Sequence, residues 1–420
     1  YSNTGFWRLH LYNYYSERGV PGAIVNNVWR NGERLWDRNT FAQVQWQDEF
    51  FGRWSVRALL KYANDYTHYI NYDERLLPAD NQYLQQETYL SVAQKVMLFR
   101  WWDMSLAYDF QYNHLRREDL ILESREEFFR RYSHWLSLAS AWNVQDYLRL
   151  QASVLMTQVD KEAPRVTPGV FLSLRPWKRI DLSLNAFYKQ SYRYPTFNDL
   201  YYTDMGNANL RPELARQHSV ELAYRLQNKR VQNLLLSVSY YYNRVSDKII
   251  AYPKGQQFRW TMLNLGVVKI NGLDTKADMS LSLPMRFVLR LRLNYTYQTA
   301  IDVTNSSDTY YRHQIPYIPW HSGSAVAGLD YGSKRGDHYG LNYSFIYVGE
   351  RYGQQENTVF NYVQPWYTHD LSLYGEWNIV QRHTLKLTLE VNNLFGQDYE
   401  VIQNYPMPKQ NFRCTLAYRY

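Results

Sequence analysis

A strict period of two runs through this chain and leaves few folds open to it. From Asn411 to Tyr420, Phe412, Cys414, Leu416, Tyr418 and Tyr420 are apolar, while Asn411, Arg413, Thr415 and Arg419 are polar. The same alternation sets Leu385, Leu387, Leu389 and Val391 against Thr384, Lys386, Thr388 and Glu390. It also sets Phe287, Leu289, Leu291, Leu293, Tyr295 and Tyr297 against Arg286, Arg290, Arg292, Asn294 and Thr296. Further matches run over Leu148 to Met156, Val220 to Leu226 and Leu234 to Tyr242. Successive side chains of a strand point to opposite faces, so each run is a strand with one apolar and one wet face. No stretch with helical spacing competes with them.

Several runs reach about ten residues or more, longer than the usual globular strand and enough to cross a bilayer at a tilt. No run of about 18 apolar residues marks a helical span, which leaves strands as the means of crossing. Composition agrees. Aromatic residues make up 17% of the 420 residues, with 41 Tyr and 14 Trp. Transmembrane barrels place such rings in interfacial girdles and hide their apolar surface by alternation. The net charge of +8 is spread along the chain instead of gathered in a patch, which gives no footprint for nucleic acid. The single cysteine, Cys414, excludes an internal disulfide.

The connections alternate in length. Long ones fall at Ser16–Trp36, Thr67–Leu84, Asn113–Glu127, Gln190–Pro212, Val245–Phe258, Gln298–Pro319, Glu350–Gln364 and Asn393–Lys409, with tight turns between them. Only Val159–Pro164 is short where a long one is due. Long loops at one end and tight turns at the other are the habit of outer-membrane barrels. The pattern predicts an all-β, transmembrane antiparallel β-barrel of about 18 strands, an even number as a closed barrel requires. Its densely polar inner face suits a wide lumen.

The stretch Ser191–Glu213, SYRYPTFNDLYYTDMGNANLRPE, is a long loop rich in aromatic and turn-forming residues. Its strings YRYPTFNDLYY and GNANLRPE resemble the paired signature of TonB-dependent outer-membrane transporters, in a long extracellular loop and the strand after it. INGLDTKADMSL, IPYIPWHSGSA and the final VNNLFGQDYEVIQNYPMPKQNFRCTLAYRY are similar to the same family, and GVPGAIVNN supports it near the start. The resemblance implies a Gram-negative outer-membrane protein, not an enzyme. It also implies a barrel of roughly 22 strands behind a globular plug that contacts TonB. Neither plug nor TonB box is found, so residues 1–420 are expected to be the barrel domain without the plug and first strands. The family's terminal aromatic assembly signal would be Tyr420.

The signature residues Arg193, Pro195, Asn207, Leu210, Arg211, Pro212 and Glu213 take a structural reading. Pro195 fixes the backbone, Asn198 and Asp199 turn it, and Glu213 pairs with a lumen-facing arginine. Ligand contact is assigned instead to Tyr201, Tyr202, Thr203 and Asp204, and in other long loops to Trp260, Tyr310, Tyr311 and Tyr352. Rings with polar tips suit a bulky, partly apolar ligand. Haem transporters of the family carry a histidine between the two signature halves. None lies between Pro195 and Leu210, and His218 reads as a packing residue. No histidine motif marks a metal site. Asp73, Glu74 and Asp80 offer a loose calcium-binding spacing in one loop, where a solvated loop is the simpler reading.

The resemblance implies active import of a scarce bulky nutrient driven by the TonB complex through the plug, a corrinoid slightly preferred to a ferric siderophore. It allows a surface-exposed lipoprotein as a further partner beside outer-membrane lipid. The alternative from another class is a passive, substrate-selective porin of about 18 strands.

Overall fold

The computed structural model describes residues 5–419, apart from 21–23, 26–27, 30–31, 73–77, 122–124, 146, 204, 255–258 and 381–382. Eighteen strands belong to one sheet. They are β1 (Phe6–Val20), β2 (Glu33–Phe50), β3 (Trp54–Asn71), β4 (Ala79–Phe99), β5 (Trp102–Asp119) and β6 (Arg125–Val144). Then come β7 (Leu148–Val159), β8 (Arg165–Leu174), β9 (Asp181–Arg193), β10 (Glu213–Leu226), β11 (Val231–Lys254) and β12 (Arg259–Ser282). The last are β13 (Phe287–Asp302), β14 (His321–Gly332), β15 (His338–Val348), β16 (Trp366–Val380), β17 (His383–Asn392) and β18 (Asn411–Arg419). One short helix, α1 (Phe197–Tyr201), interrupts the pattern in the loop after β9.

The chain divides into two compact units. The first comprises Tyr1–Leu172, Phe187–Gln217 and Arg244–Val267, the second Ser173–Ala186, His218–Asn243 and Val268–Tyr420. In the first, β1 through β7 pair antiparallel, each with the next in sequence. The β2–β3 ladder runs from Glu33↔Asn71 to Phe50↔Trp54 and closes through Phe51, Gly52 and Arg53. Phe51 and Gly52 both take positive φ there, a conformation that glycine adopts without strain. In the second unit β12 through β18 pair in the same consecutive way.

The apolar face of these strands is the exposed one. On β10, Val220 and Leu222 are each 50% exposed while Glu221 between them is less so. Leu293 and Tyr295 on β13 flank the more sheltered Asn294, and Phe412, Leu416 and Tyr418 lie open on β18. A water-soluble sheet buries such residues. Here the inversion puts the apolar set where lipid would cover it and the polar set on the other face.

Four connections expected to be long are in large part strand. Asn113–Glu127 is entered by β5 and β6, Val245–Phe258 by β11 as far as Lys254, Ser16–Trp36 by β1 and β2, and Thr67–Leu84 by β3 and β4. Cross-strand ion pairs explain the first case. Arg116 meets Glu126 and Arg117 meets Glu127 across neighbouring strands, so polar side chains carry the ladder onward where an apolar pattern stops. The other signalled loops remain: Arg193 to Glu213, Asp302 to His321, Val348 to Trp366 and Asn392 to Asn411.

Candidate ligand-binding loop

The loop after β9 is built around a five-residue helix that its own sequence caps. Thr196, in extended conformation, is the N-cap of α1 and its hydroxyl accepts from the Asp199 amide at 3.2 Å. The Asp199 carboxylate accepts in return from the Thr196 amide at 2.9 Å, which satisfies two orphan donors reciprocally. Beyond the helix Gly206 donates its amide to the Tyr202 carbonyl at 2.7 Å. A Cβ on Gly206 would fall within 2.8 Å of the Leu200 backbone, so the return of the chain requires glycine here.

The two halves of the signature clasp each other. Arg193, at the end of β9, bonds Asp199 at 2.7 Å and lies 3.4 Å from Glu213, the first residue of β10. Buried Glu213 also accepts from the Ile249 amide at 2.5 Å and from Lys248 at 3.2 Å. Asn207 donates to the Met262 carbonyl at 3.0 Å, while Leu210 packs with Leu200, Ile249 and Met262. Arg211 pairs with Asp247 at 2.6 Å, and Asn264 bonds the Arg211 carbonyl at 2.9 Å and the Asp247 carbonyl at 2.7 Å. Pro195 is fully buried, and its carbonyl accepts from Arg131 at 2.8 Å. The Arg131 guanidinium lies 4.6 Å from the ring centres of both Tyr194 and Phe197. Pro212 lies between Arg211 and Glu213, ahead of the first ladder residue of β10.

The candidate ligand contacts of this loop turn toward the strands. The Tyr201 ring stacks on Phe129 of β6 at 3.7 Å, and the Tyr202 ring stacks on Tyr83 of β4 at 4.1 Å. Each stack contributes about 0.5–1.5 kcal/mol beyond area burial. The Thr203 amide donates to the Tyr83 hydroxyl at 2.9 Å, and Arg117 donates to the Tyr201 carbonyl at 2.6 Å. Asp204 lies outside the described residues. The structure therefore brings Tyr201, Tyr202 and Thr203 onto one docked surface.

Trp260, near the start of β12, is partly buried in the same unit. Tyr310 and the exposed Tyr311 sit in the β13–β14 connection of the second unit. Tyr352 meets Trp320 and Tyr362 edge-on at 5.9 Å in both cases. Asp80 bonds His68 at 2.7 Å, while Asp73 and Glu74 lie outside the described residues, as does Tyr420. Among the described residues no three His, Cys, Asp or Glu side chains are grouped to hold a metal ion. His218 lies against Tyr242, with ring centres 6.0 Å apart.

Burial, reinforced by Tyr83, Asp37 and Asp65, pushes the Tyr202 phenol up to about 12. An unfolded tyrosine ionises near pH 10, so the docked ring keeps its proton through the window from about 10 to 12. Stability drawn from the neutral phenol is complete below about pH 10 and is lost as pH rises toward 12. A tyrosinate difference titration of wild type against Tyr202→Phe is expected to show a group ionising near pH 12. A midpoint near 10 would mean that the ring is not docked.

Residues 1–394 match the family model described as TonB dependent receptor-like, beta-barrel. The chain belongs to the family of TonB-dependent receptor β-barrels, and the architecture is that of a transmembrane antiparallel barrel. It is 26% identical over 234 residues to the vitamin B12 transporter BtuB of Vibrio vulnificus, a match covering 54% of this chain and 33% of that protein. Against BtuB of Photobacterium profundum it is 24% identical over 294 residues, covering 67% and 42%. The chain thus spans between a third and a half of the length of these relatives. Among solved structures, the ferric citrate transporter FecA in its unliganded form superposes with a TM-score of 0.74 at 13% identity, covering 100% of this chain and 68% of that one. The relatives are transporters and receptors, not enzymes.

Proposed function

We propose that the protein containing this chain sits in the outer membrane of a Gram-negative bacterium and imports a scarce bulky nutrient, with TonB supplying the energy. A corrinoid is preferred over a ferric siderophore. The observation that carries this choice is that the relatives recognised by sequence are named vitamin B12 transporters, whereas the siderophore-receptor likenesses, at 10–13% identity, speak to fold alone. In this reading Tyr201 and Tyr202 rest on the strands without cargo and offer their rings to it when the loop lifts, while Tyr310, Tyr311 and Tyr352 are further contacts.

The test is uptake. A strain lacking the full-length gene is expected to lose accumulation of labelled cobalamin and to regain it with the gene but not without TonB. Uptake of a ferric siderophore in place of cobalamin would replace the cargo, and uptake independent of TonB would replace the mechanism with passive diffusion. Changing Tyr201 and Tyr202 together to alanine is expected to weaken cargo binding about tenfold, the scale of one or two aromatic contacts.

A further inference from the structure

In the second unit the segments on either side of a cleft come from the β15–β16 and β17–β18 connections. The cleft has a volume of about 500 Å³, and its walls include Tyr362, Trp366, Gln397, Tyr399, Glu400 and Asn404. That volume lies within the range of small-molecule sites, roughly 300–1,000 Å³.

The walls are tied by one buried arginine. The Arg351 side chain is fully buried, and its guanidinium donates to four carbonyls. These are Gly349 at 3.4 Å and Gln364 at 3.2 Å on one segment, and Glu400 at 2.5 Å and Val401 at 3.0 Å on the other. Trp366 packs on Tyr399 with ring centres 4.6 Å apart, so an aromatic surface bridges the two walls. Two wall residues carry polar atoms that are screened from solvent and lack a hydrogen-bond partner, the Trp366 indole N–H and the Gln397 carboxamide oxygen. Both atoms are screened from solvent and so sit behind the cleft surface, which leaves recognition of a ligand to the groups that line it.

The remaining chemistry narrows that ligand. Asp398 and Glu400 both line the cleft, while Lys409 is held by Asp398 at 2.9 Å. This sign of charge disfavours phosphates and carboxylates. A divalent cation lacks the grouped ligands it would need among the described residues. An apolar molecule would strand the carboxamides of Gln364, Gln397, Gln403 and Asn404. Rings that pack against C–H faces, beside amides and carboxylates that bond hydroxyls, match a neutral polyhydroxylated ring. We propose that this cleft binds a neutral carbohydrate of one or two sugar rings, as a site separate from the imported cargo. The sugar is either free or part of a lipid-linked surface glycan.

Saturation-transfer NMR on the full-length protein, in a phosphocholine detergent that carries no sugar headgroup, tests this. Methyl β-glucopyranoside is expected to bind with a Kd on the order of 1 mM, and glucuronate about tenfold more weakly. Glu400→Gln should narrow that gap by improving glucuronate binding. Asn404 has a φ of 68°, so Asn404→Gly keeps the backbone unstrained while removing the carboxamide, and should weaken the glycoside about tenfold. Purified lipopolysaccharide that displaces the glycoside would identify a surface glycan as the source, and failure to displace it a free sugar. The proposal is overturned if the neutral glycoside gives no transfer at about 20 mM, well above the expected Kd. It is equally overturned if glucuronate binds as well, or if Asn404→Gly leaves binding unchanged. None of these readouts depends on what the protein imports.

Discussion

Glu213→Ala is expected to unfasten the whole loop between β9 and β10. The substitution leaves the buried Ile249 amide without its acceptor and deprives Arg193 and Lys248 of the carboxylate between them. Removing one partner of a fully buried pair costs about 3–5 kcal/mol. Arg193 and Lys248 keep part of their side chains in water, which lowers the expected cost to about 2–3 kcal/mol. Hydrogen exchange should show amides of α1 and of Asn207 to Leu210 opening about 30- to 100-fold faster, while the β2–β5 ladders keep their protection. Glu213→Gln, which retains an acceptor for Ile249, should fall between. Equal protection in wild type and Glu213→Ala would show that the docked rings hold the loop without the clasp.

Arg351→Ala should have the larger effect. Four carbonyls lose a charged donor at once, and a cavity the size of the side chain opens between two connections. Burial pushes the Arg351 guanidinium down from its ordinary pKa, opposed by nearby Tyr317 and Glu400, so the charge is held at some expense and its hydrogen bonds must offset it. We expect a loss of about 3 kcal/mol or more, seen as roughly 100-fold faster exchange of the amides in the paired segments Arg351–Tyr352 and Tyr362–Val363. Arg351→Lys should recover little, because an ammonium cannot reach four carbonyls as the planar fork does. Normal protection in Arg351→Ala would mean that the ladder of those segments and the Thr358–Asn361 capping box suffice.

How far the sequence announced all this differs from feature to feature. The strands were legible because the apolar residues of Phe287 to Tyr297 and Asn411 to Tyr420 repeat with a period that only a sheet with unlike faces produces. Strand ends were not legible at 113–127, where paired charges replace the apolar pattern and carry the ladder onward, nor at 245–258, where β11 runs on to Lys254. The helix Phe197–Tyr201 is too short for a periodic signal, although Thr196 and Asp199, three apart, form its capping box. Glu213 was expected to meet a lumen-facing arginine. Arg193 lies beside it, so the motif's first half answers its second. Tyr83, Arg117, Phe129 and Arg131, which hold the loop down, come from strands 60 or more residues away, and no local spacing points to them. Arg351 left no trace either, because an arginine whose partners are all carbonyls has no acidic residue to mark it.

Strand length carries a last consequence. β11 and β12 each run for 24 residues, roughly 80 Å of extended chain, where about ten residues suffice to cross a bilayer. Even at a steep tilt much of each strand stands clear of the hydrocarbon, as part of a hydrogen-bonded ladder instead of a free loop. Segments mounted on such a stiff rim begin close to the arrangement that a bound molecule would meet. The entropy otherwise lost in ordering them at each encounter was already given up when the sheet folded.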